Sequence, residues 1–459
     1  VPAASKTTYG DFGMTTAPRK LAIEGRRNAE RDRITDMVAH MDRNRAYRAA
    51  VTAAGGDADG AILRQFRERF QWYRKAWHAQ PRQAVENGLT GAAFAATDAP
   101  PLCIDIEVAA VCDLACSFCY RQSLATPDKV IDDTLCFRLI DQAVELGVPS
   151  IKFNWRGEPL LNPRLPEYVA YAKDHGILDT MINTNATQLD TDMGRRLIEA
   201  GLDLIIYSFD GGTAATYEHM RPGRFAENRF DDVYGNISGF AELRQFLGAV
   251  FPRTKIQMIL TEDSFEEQWE FFNLFDDCVD DVTVKQYSER GAGLSDLDAA
   301  SQVALSAALE DLALPPDTPY MRNMNGEMFV ATDRLPCEQP FQRLLVTYDG
   351  RVAMCCYDWG AQHPIGYVDS AAIETGEHAY ADVVDKSTRG AKGFERMGRV
   401  AMPARYNKPA SEVMALRELW YGTEIDRVRS CHITDGGREL EICRGCQFKE
   451  IHQWDLVGS

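Results

Sequence analysis

The chain has 459 residues, 45% of them hydrophobic and 26% charged. At about 150 residues per domain this predicts two or three globular domains and excludes a disordered, collagenous or membrane-bundle class. A formal charge of −18 argues against a general nucleic-acid binder, and no apolar run approaches the roughly 20 residues that span a bilayer. The first twenty residues lack the apolar stretch of a secretory signal, so twelve cysteines point to metal or redox chemistry in a reducing, cytoplasmic compartment, not to a disulfide scaffold.

Residues 1–98 read as a helical region. Lys20 to Val51 is rich in helix formers and Gly55-Gly56 breaks it. A second helix follows with Phe66, Phe70, Tyr73 and Trp77 on one face, read as a core-facing stripe, although the interleaved Arg and Lys would also suit an anionic ligand. The first 100 residues carry 16 Lys/Arg against 11 Asp/Glu, so the excess of acid lies entirely in the remainder. Ala93 to Pro101 reads as a linker. In residues 99–294 short apolar runs (102–108, 150–154, 179–183, 203–209, 255–260, 281–286) alternate with helical stretches (132–146, 165–175, 191–200, 264–275). Six strands alternating with helices imply a parallel sheet, either doubly wound or curved into a partial barrel, with chemistry at the C-terminal ends of the strands. Residues 295–334 read as a helical linker. In residues 335–459 an Asp349-Gly350 turn marks a hairpin, and the only long helix expected covers 410–421.

The cysteines cluster. Cys112, Cys116 and Cys119 follow the first strand at C-x3-C-x2-C spacing. Such a loop can ligate three irons of a [4Fe–4S] cluster and leave the fourth open, whereas structural zinc sites want four ligands, commonly as C-x2-C pairs. Phe118 precedes the third cysteine. The second strand leads into Trp155-Arg156-Gly157-Glu158-Pro159 and the third ends in Asn183-Thr184-Asn185. The fourth runs through Ser208, Asp210 and Gly211 to Arg221 and Gly223, and the fifth ends at Ile259.

These motifs, in this order, resemble those of the radical S-adenosylmethionine (SAM) family. The resemblance implies an α/β fold: a partial (β/α)6 TIM-like barrel with an N-terminal helical extension and a small C-terminal α+β auxiliary-cluster domain. It implies that Cys112, Cys116 and Cys119 hold a SAM-binding cluster. Gly157, Glu158 and Pro159 would lie at the SAM amine, Asn185 at its ribose, Ser208 and Arg221 at its carboxylate, and Ile259 at its adenine. Phe118 holds the family's aromatic position and Tyr120 would meet adenine through its backbone. Arg156 replaces the family's first glycine and would put a guanidinium near cofactor or substrate. The implied chemistry is reductive cleavage of SAM to a 5′-deoxyadenosyl radical that takes hydrogen from carbon.

A second constellation follows: Cys337, twelve residues, Gly350, four residues, Cys355, then Cys443-x2-Cys446. It resembles the twitch form of the auxiliary-cluster (SPASM-like) domain, which implies a second [4Fe–4S] cluster. His452 stands where the larger form has its next cysteine. The G-x4-C spacing favours Cys355 over Cys356, while chemistry alone leaves that choice open. Four thiolates in two distant pairs would also make a zinc site. Weaker substrate candidates are Lys285, Gln286, Asp358 and His363.

Three functions fit these residues. The first acts on a small polyol (a sugar, aminocyclitol or nucleotide-sugar) by dehydrogenation, dehydration or epimerisation, the last needing a thiol hydrogen donor such as Cys356, Cys431, Cys278 or Cys136. The second matures a ribosomally made peptide. The third is a non-catalytic zinc-binding interaction protein. The enzyme readings imply a flavodoxin- or ferredoxin-type electron donor and no nucleic-acid or membrane partner.

Overall fold

The computed structural model describes residues 29–56, 60–119, 121, 127–287, 297, 299–316, 318–323, 325–358, 360–361, 363–374, 413–444, 446 and 448–457. Tyr120 and residues 1–28 lie outside that set. The N-terminal region folds as helices α1 (Ala29–Ala39), α2 (Arg45–Ala53), α3 (Gly60–Glu86) and α4 (Gly91–Ala95). The single helix expected up to Val51 is split at Asn44. Its side chain caps α2 by accepting from the Ala46 amide, and its own amide reaches the Leu178 carbonyl and Asp203. An asparagine offered both cap and tertiary partners gains more there than inside a helix. The aromatic stripe of α3 is core-facing, since Phe66, Phe70 and Tyr73 are buried.

The central strands are β1 (Cys103–Ile106), β2 (Ser150–Lys152), β3 (Asp179–Thr184), β4 (Leu204–Ser208), β5 (Arg253–Leu260) and β6 (Asp281–Gln286). They pair in parallel in chain order, with α5 (Asp133–Glu145), α6 (Leu165–Asp174), α7 (Thr191–Ala200), α8 (Ala214–Met220), α9 (Phe230–Phe246) and α10 (Gln268–Phe275) between them. Strand β5 shows the sorting: Thr254, Ile256, Met258 and Leu260 are buried, whereas Lys255, Gln257 and Ile259 are half-exposed. The apolar row packs under the helices and the alternate row faces the concave side. This is the partial TIM-like α/β fold expected.

Helices α1–α3 close one end of this sheet. Their core includes Leu102, Leu178 and Phe251, each just ahead of a strand. Arg33 pairs with Asp179, Asn44 bonds Asp203 at 2.9 Å and Arg253 reaches Asp36 at 3.0 Å. The N-terminal segment thus holds the acids at the N-terminal ends of β3 and β4, Asp179 by an ion pair and Asp203 by a neutral hydrogen bond, while its own Asp36 takes Arg253 of β5. Residues 93–101 are not a free linker: Phe94 is buried with the Arg429 guanidinium 3.9 Å from its ring centre, and Trp420 Nε1 donates to the Ala99 carbonyl at 2.8 Å.

Strands β7 (Tyr320–Arg322) and β8 (Met328–Arg334) form a small antiparallel sheet with β12 (His452–Leu456). The expected hairpin is β9 (Arg343–Val346) and β10 (Arg351–Ala353), extended by β11 (Pro364–Tyr367). Strand β9 pairs in parallel with β1, giving one nine-stranded sheet in the order β11-β10-β9-β1-β2-β3-β4-β5-β6. The hairpin expected in a separate small domain therefore continues the central sheet. Helix Thr423–Asp435, not anticipated, presents a narrow stripe of Ile425, Val428 and His432. No described helix is long and apolar enough to cross a membrane.

Candidate active site

The loop after β1 is held by the loops after β2, β3 and β4. The Val111 carbonyl accepts from the Glu158 amide at 2.8 Å, and Gly157 sits at φ +68° against the same backbone. A Cβ on Gly157 would lie 2.3 Å from the Ala109 oxygen and 2.5 Å from that of Val111, so only glycine fits. From the other side the Ala115 amide donates to the Pro222 carbonyl at 2.8 Å and the Arg224 amide to that of Asp113 at 2.7 Å. These bonds present Cys112, Cys116 and Cys119 together. Burial pushes the Cys112 thiol up to about 12, and at Cys116 burial acts with the Cys119 and Cys112 thiols against the Arg221 guanidinium. Such thiols surrender their protons when a cation binds them.

Glu158 ties two motifs together. Its carboxylate accepts from the Thr184 hydroxyl at 2.6 Å and from the Asn185 and Leu160 amides at 2.7 and 3.0 Å. Burial raises it to about 7, which those donors partly offset. Pro159 opens the short 3-10 turn that follows. Asn185 Nδ2 donates to Asp113 at 2.8 Å and lies 3.9 Å from the Cys112 sulfur. Arg221 Nε donates to Asp210 at 2.8 Å; its Nη1 is 4.0 Å from the Cys116 sulfur and its guanidinium carbon 5.5 Å from the Phe118 ring centre. Asp210 also accepts the Ile259 amide at 2.7 Å, and Ser208 ends β4 half-buried nearby in the chain. Sequence reasoning missed Asp113 and Asp210. The signal for both was an acid inside a loop motif, adjacent to Cys112 and two residues past Ser208.

Arg156 is engaged elsewhere: Nε and Nη2 donate to the two oxygens of Glu107 at 2.6 and 2.8 Å, with both side chains fully buried. Gln286 donates to the Tyr320 carbonyl at 3.1 Å, and Lys285 is exposed at the end of β6. Buried Asp358 accepts the His363 amide at 2.8 Å, so those two residues brace one turn.

Cys337, Cys355, Cys443 and Cys446 line one small cavity of about 20 Å³ together with Arg334 and His432. Cys356 does not line it; its thiol faces Gln339 Oε1 at 3.4 Å. Cys136 is buried on α5, Cys278 bonds back to carbonyls of α10 and Cys431 sits on the helix Thr423–Asp435, so of the four suggested hydrogen donors only Cys356 lies beside Trp155 and the loop after β2. Arg334 Nη2 is buried in this region with no hydrogen-bond partner among the described residues. Among the described residues, neither there nor at Cys112, Cys116 and Cys119 do three His, Cys, Asp or Glu side chains converge as on a single metal ion. A ring of thiols around a cavity, with a spare cationic donor, fits an anionic cluster better than one zinc ion. His432, also missed, gave the signal of a histidine eleven positions before Cys443 on a helix.

Residues 106–232 match the family model described as Radical SAM superfamily. Over 167 residues the chain is 26% identical to the tungsten-containing aldehyde ferredoxin oxidoreductase cofactor-modifying protein of Pyrococcus furiosus, covering 35% of this chain and 44% of that protein. It is 37% identical over 108 residues to GTP 3′,8-cyclase of Chlorobaculum tepidum (23% and 32%) and 33% identical over 122 residues to PqqA peptide cyclase of Xanthomonas campestris pv. campestris (26% and 32%). The chain thus spans less than half the length of these relatives. A structure of Streptococcus suis SuiB bound to precursor peptide SuiA aligns with a TM-score of 0.42 at 16% identity, covering 65% of each chain. In both the family match and the order of its loop motifs, residues 106–232 are thus similar to the radical SAM superfamily, whose enzymes work with a [4Fe–4S] cluster and SAM.

Proposed function

We propose that the chain cleaves SAM reductively and directs the resulting hydrogen abstraction to a small polar molecule, of the sugar, aminocyclitol or nucleotide-sugar class, held on the concave face of the sheet. One observation carries the substrate class. The inward row carries a polar patch: Ser208, Gln257 and Thr283 are register neighbours across β4–β6, and Lys152 and Asn183 lie on the same face, paired in register with Met181 and Ile206. Within it the Asn183 Oδ1 is buried without a hydrogen-bond partner among the described residues, a cost that a hydroxyl or amine of a ligand would remove. Helices α1–α3 occupy the opposite end of the sheet from the motif loops, so the described N-terminal region is not placed to present a peptide leader there.

When bound, the cluster and SAM supply the electron and the carbon radical. The chain's residues position them. Cys112, Cys116 and Cys119 hold the cluster, and the backbone of Gly157 to Pro159 faces the SAM amine. Arg221, oriented by Asp210, and Ser208 take the carboxylate, Asn185 the ribose, and Ile259 with the backbone of Tyr120 the adenine. Cys337, Cys355, Cys443 and Cys446 hold a second, fully thiolate-ligated cluster. Maturation of a peptide is the second reading, favoured by the similarity to PqqA peptide cyclase.

Anaerobic purification is expected to yield about eight irons per chain, and dithionite with SAM to yield 5′-deoxyadenosine. Ala at Cys112, Cys116 or Cys119 should abolish that product. Cys337→Ala should halve the iron and spare part of the cleavage. Absence of 5′-deoxyadenosine from the intact enzyme overturns the reading. Deuterium transfer into 5′-deoxyadenosine from labelled sugars or aminocyclitols, tested against labelled peptides, separates the two substrate classes.

A further inference from the structure

We propose that His432 donates a hydrogen bond to the ligating sulfur of Cys443 and thereby raises the reduction potential of the auxiliary cluster, an inference that rests on the second-cluster reading above. The imidazole is only 2% exposed, on the helix Thr423–Asp435, and it lines the thiol cavity. Its orientation is fixed from three sides. The Cys337 amide donates to Nδ1 at 3.3 Å, and Nε2 lies 3.6 Å from the Cys443 sulfur. Gly437 packs close against the ring, where a Cβ would come within 2.3 Å of Cε1.

The polarity of the contact follows from these bonds. A ring nitrogen that accepts a backbone N–H carries no proton, so the single proton of the neutral imidazole is on Nε2. A thiolate bound to iron has only lone pairs to offer. The contact therefore runs from Nε2–H to sulfur. Withdrawing charge from a ligand sulfur favours the redox state that holds the extra electron, and hydrogen bonds to the sulfurs are among the determinants of cluster potential. Cys337 and Cys443 come from distant parts of the chain, so one side chain joins both halves of the ligand set.

The test uses the full chain with Cys112, Cys116 and Cys119 all replaced by Ala, so that only the auxiliary cluster remains. Its midpoint potential is read by a redox titration followed by electron paramagnetic resonance. His432→Phe is expected to lower the potential so that the oxidised-to-reduced ratio at fixed applied potential rises roughly tenfold, about 59 mV for one electron. His432→Gln, which keeps an N–H near the Nε2 position, should recover part of the shift. Equal potentials in all three proteins, each with about four irons, overturn the role of His432 and leave the second cluster standing. Loss of iron in both variants makes His432 a ligand or a scaffold and also overturns it. No iron in the triple-Ala parent defeats the second-cluster reading itself. An exchangeable proton coupled to the reduced cluster in the parent, altered in His432→Gln, gives a readout independent of His432→Phe; absence of such a proton contradicts the bond.

Discussion

Replacing Arg156 by Met is expected to destabilise the folded chain by about 3–5 kcal/mol, measured as a lower urea midpoint at unchanged slope. The guanidinium makes two parallel bonds to Glu107, at 2.6 and 2.8 Å, in a site closed to solvent, and stands 4.2 Å over the Trp155 ring. Desolvating both ions is costly, and only their mutual attraction and added hydrogen bonds offset it. Removing Arg156 alone leaves a buried carboxylate with the Tyr348 amide at 3.2 Å among its remaining donors. Changing both residues, as Arg156→Met with Glu107→Leu, should recover most of the loss, and the double-mutant cycle should show strong coupling. A single-variant cost below about 1 kcal/mol would mean that Glu107 is hydrated rather than locked in this pair.

Gly157→Ala is expected to remove SAM cleavage and about four irons per chain, while the rest of the fold persists. The clash is with backbone oxygens of Ala109 and Val111, which cannot rotate away as a side chain could. The left-handed conformation adds about 1–2 kcal/mol for any residue with a Cβ. Val111 directly precedes Cys112 and is bonded to the Glu158 amide, so a shift at position 157 moves the cysteine loop itself. Gly176→Ala is the control: its φ is +93° but a Cβ there meets nothing within 4 Å, so it carries the conformational cost without the clash. Iron content, SAM binding by calorimetry and circular dichroism of both variants decide the matter. Full iron and full cleavage in Gly157→Ala would show that the packing of these two loops does not hold the cysteine loop in place.

Much of this was legible in the sequence because strand alternation and loop motifs are local. The sequence placed all six central strands within a few residues of β1–β6, and the motif residues stand at the strand ends it assigned them. What it could not show is where side chains find partners far along the chain. The Arg and Lys interleaved with the aromatic stripe of α3 left open an anionic ligand, yet Arg67 donates to the Val38 and Ala39 carbonyls and Arg74 to the Tyr73 hydroxyl. Arg156 reads as a free charge until Glu107, forty-nine positions earlier, is seen beside it. The residues around Phe94 resemble a linker because small and turn-forming residues dominate, while a single aromatic anchors them to Arg429 and Trp420. Cys355 and Cys356 are chemically identical, and only the direction of each side chain from the end of β10 separates them.

The pairing of β9 with β1 has a consequence for how the chain is made. Arg343 bonds Asp105 across 238 positions, so the partner of the first strand is synthesised long after the rest of the curved sheet. Until then β1 has an unpaired outer edge of backbone donors and acceptors, the kind of surface that recruits other chains. Its apolar residues, Ile104 and Ile106, would accompany that edge. The hairpin is thus the closing seam of the sheet, and truncation ahead of Arg343 would yield a barrel that self-associates instead of one that merely lacks an appendage. Late closure across such a separation also makes folding slow, which sets the interval over which chaperones or low temperature would matter for recovering intact protein.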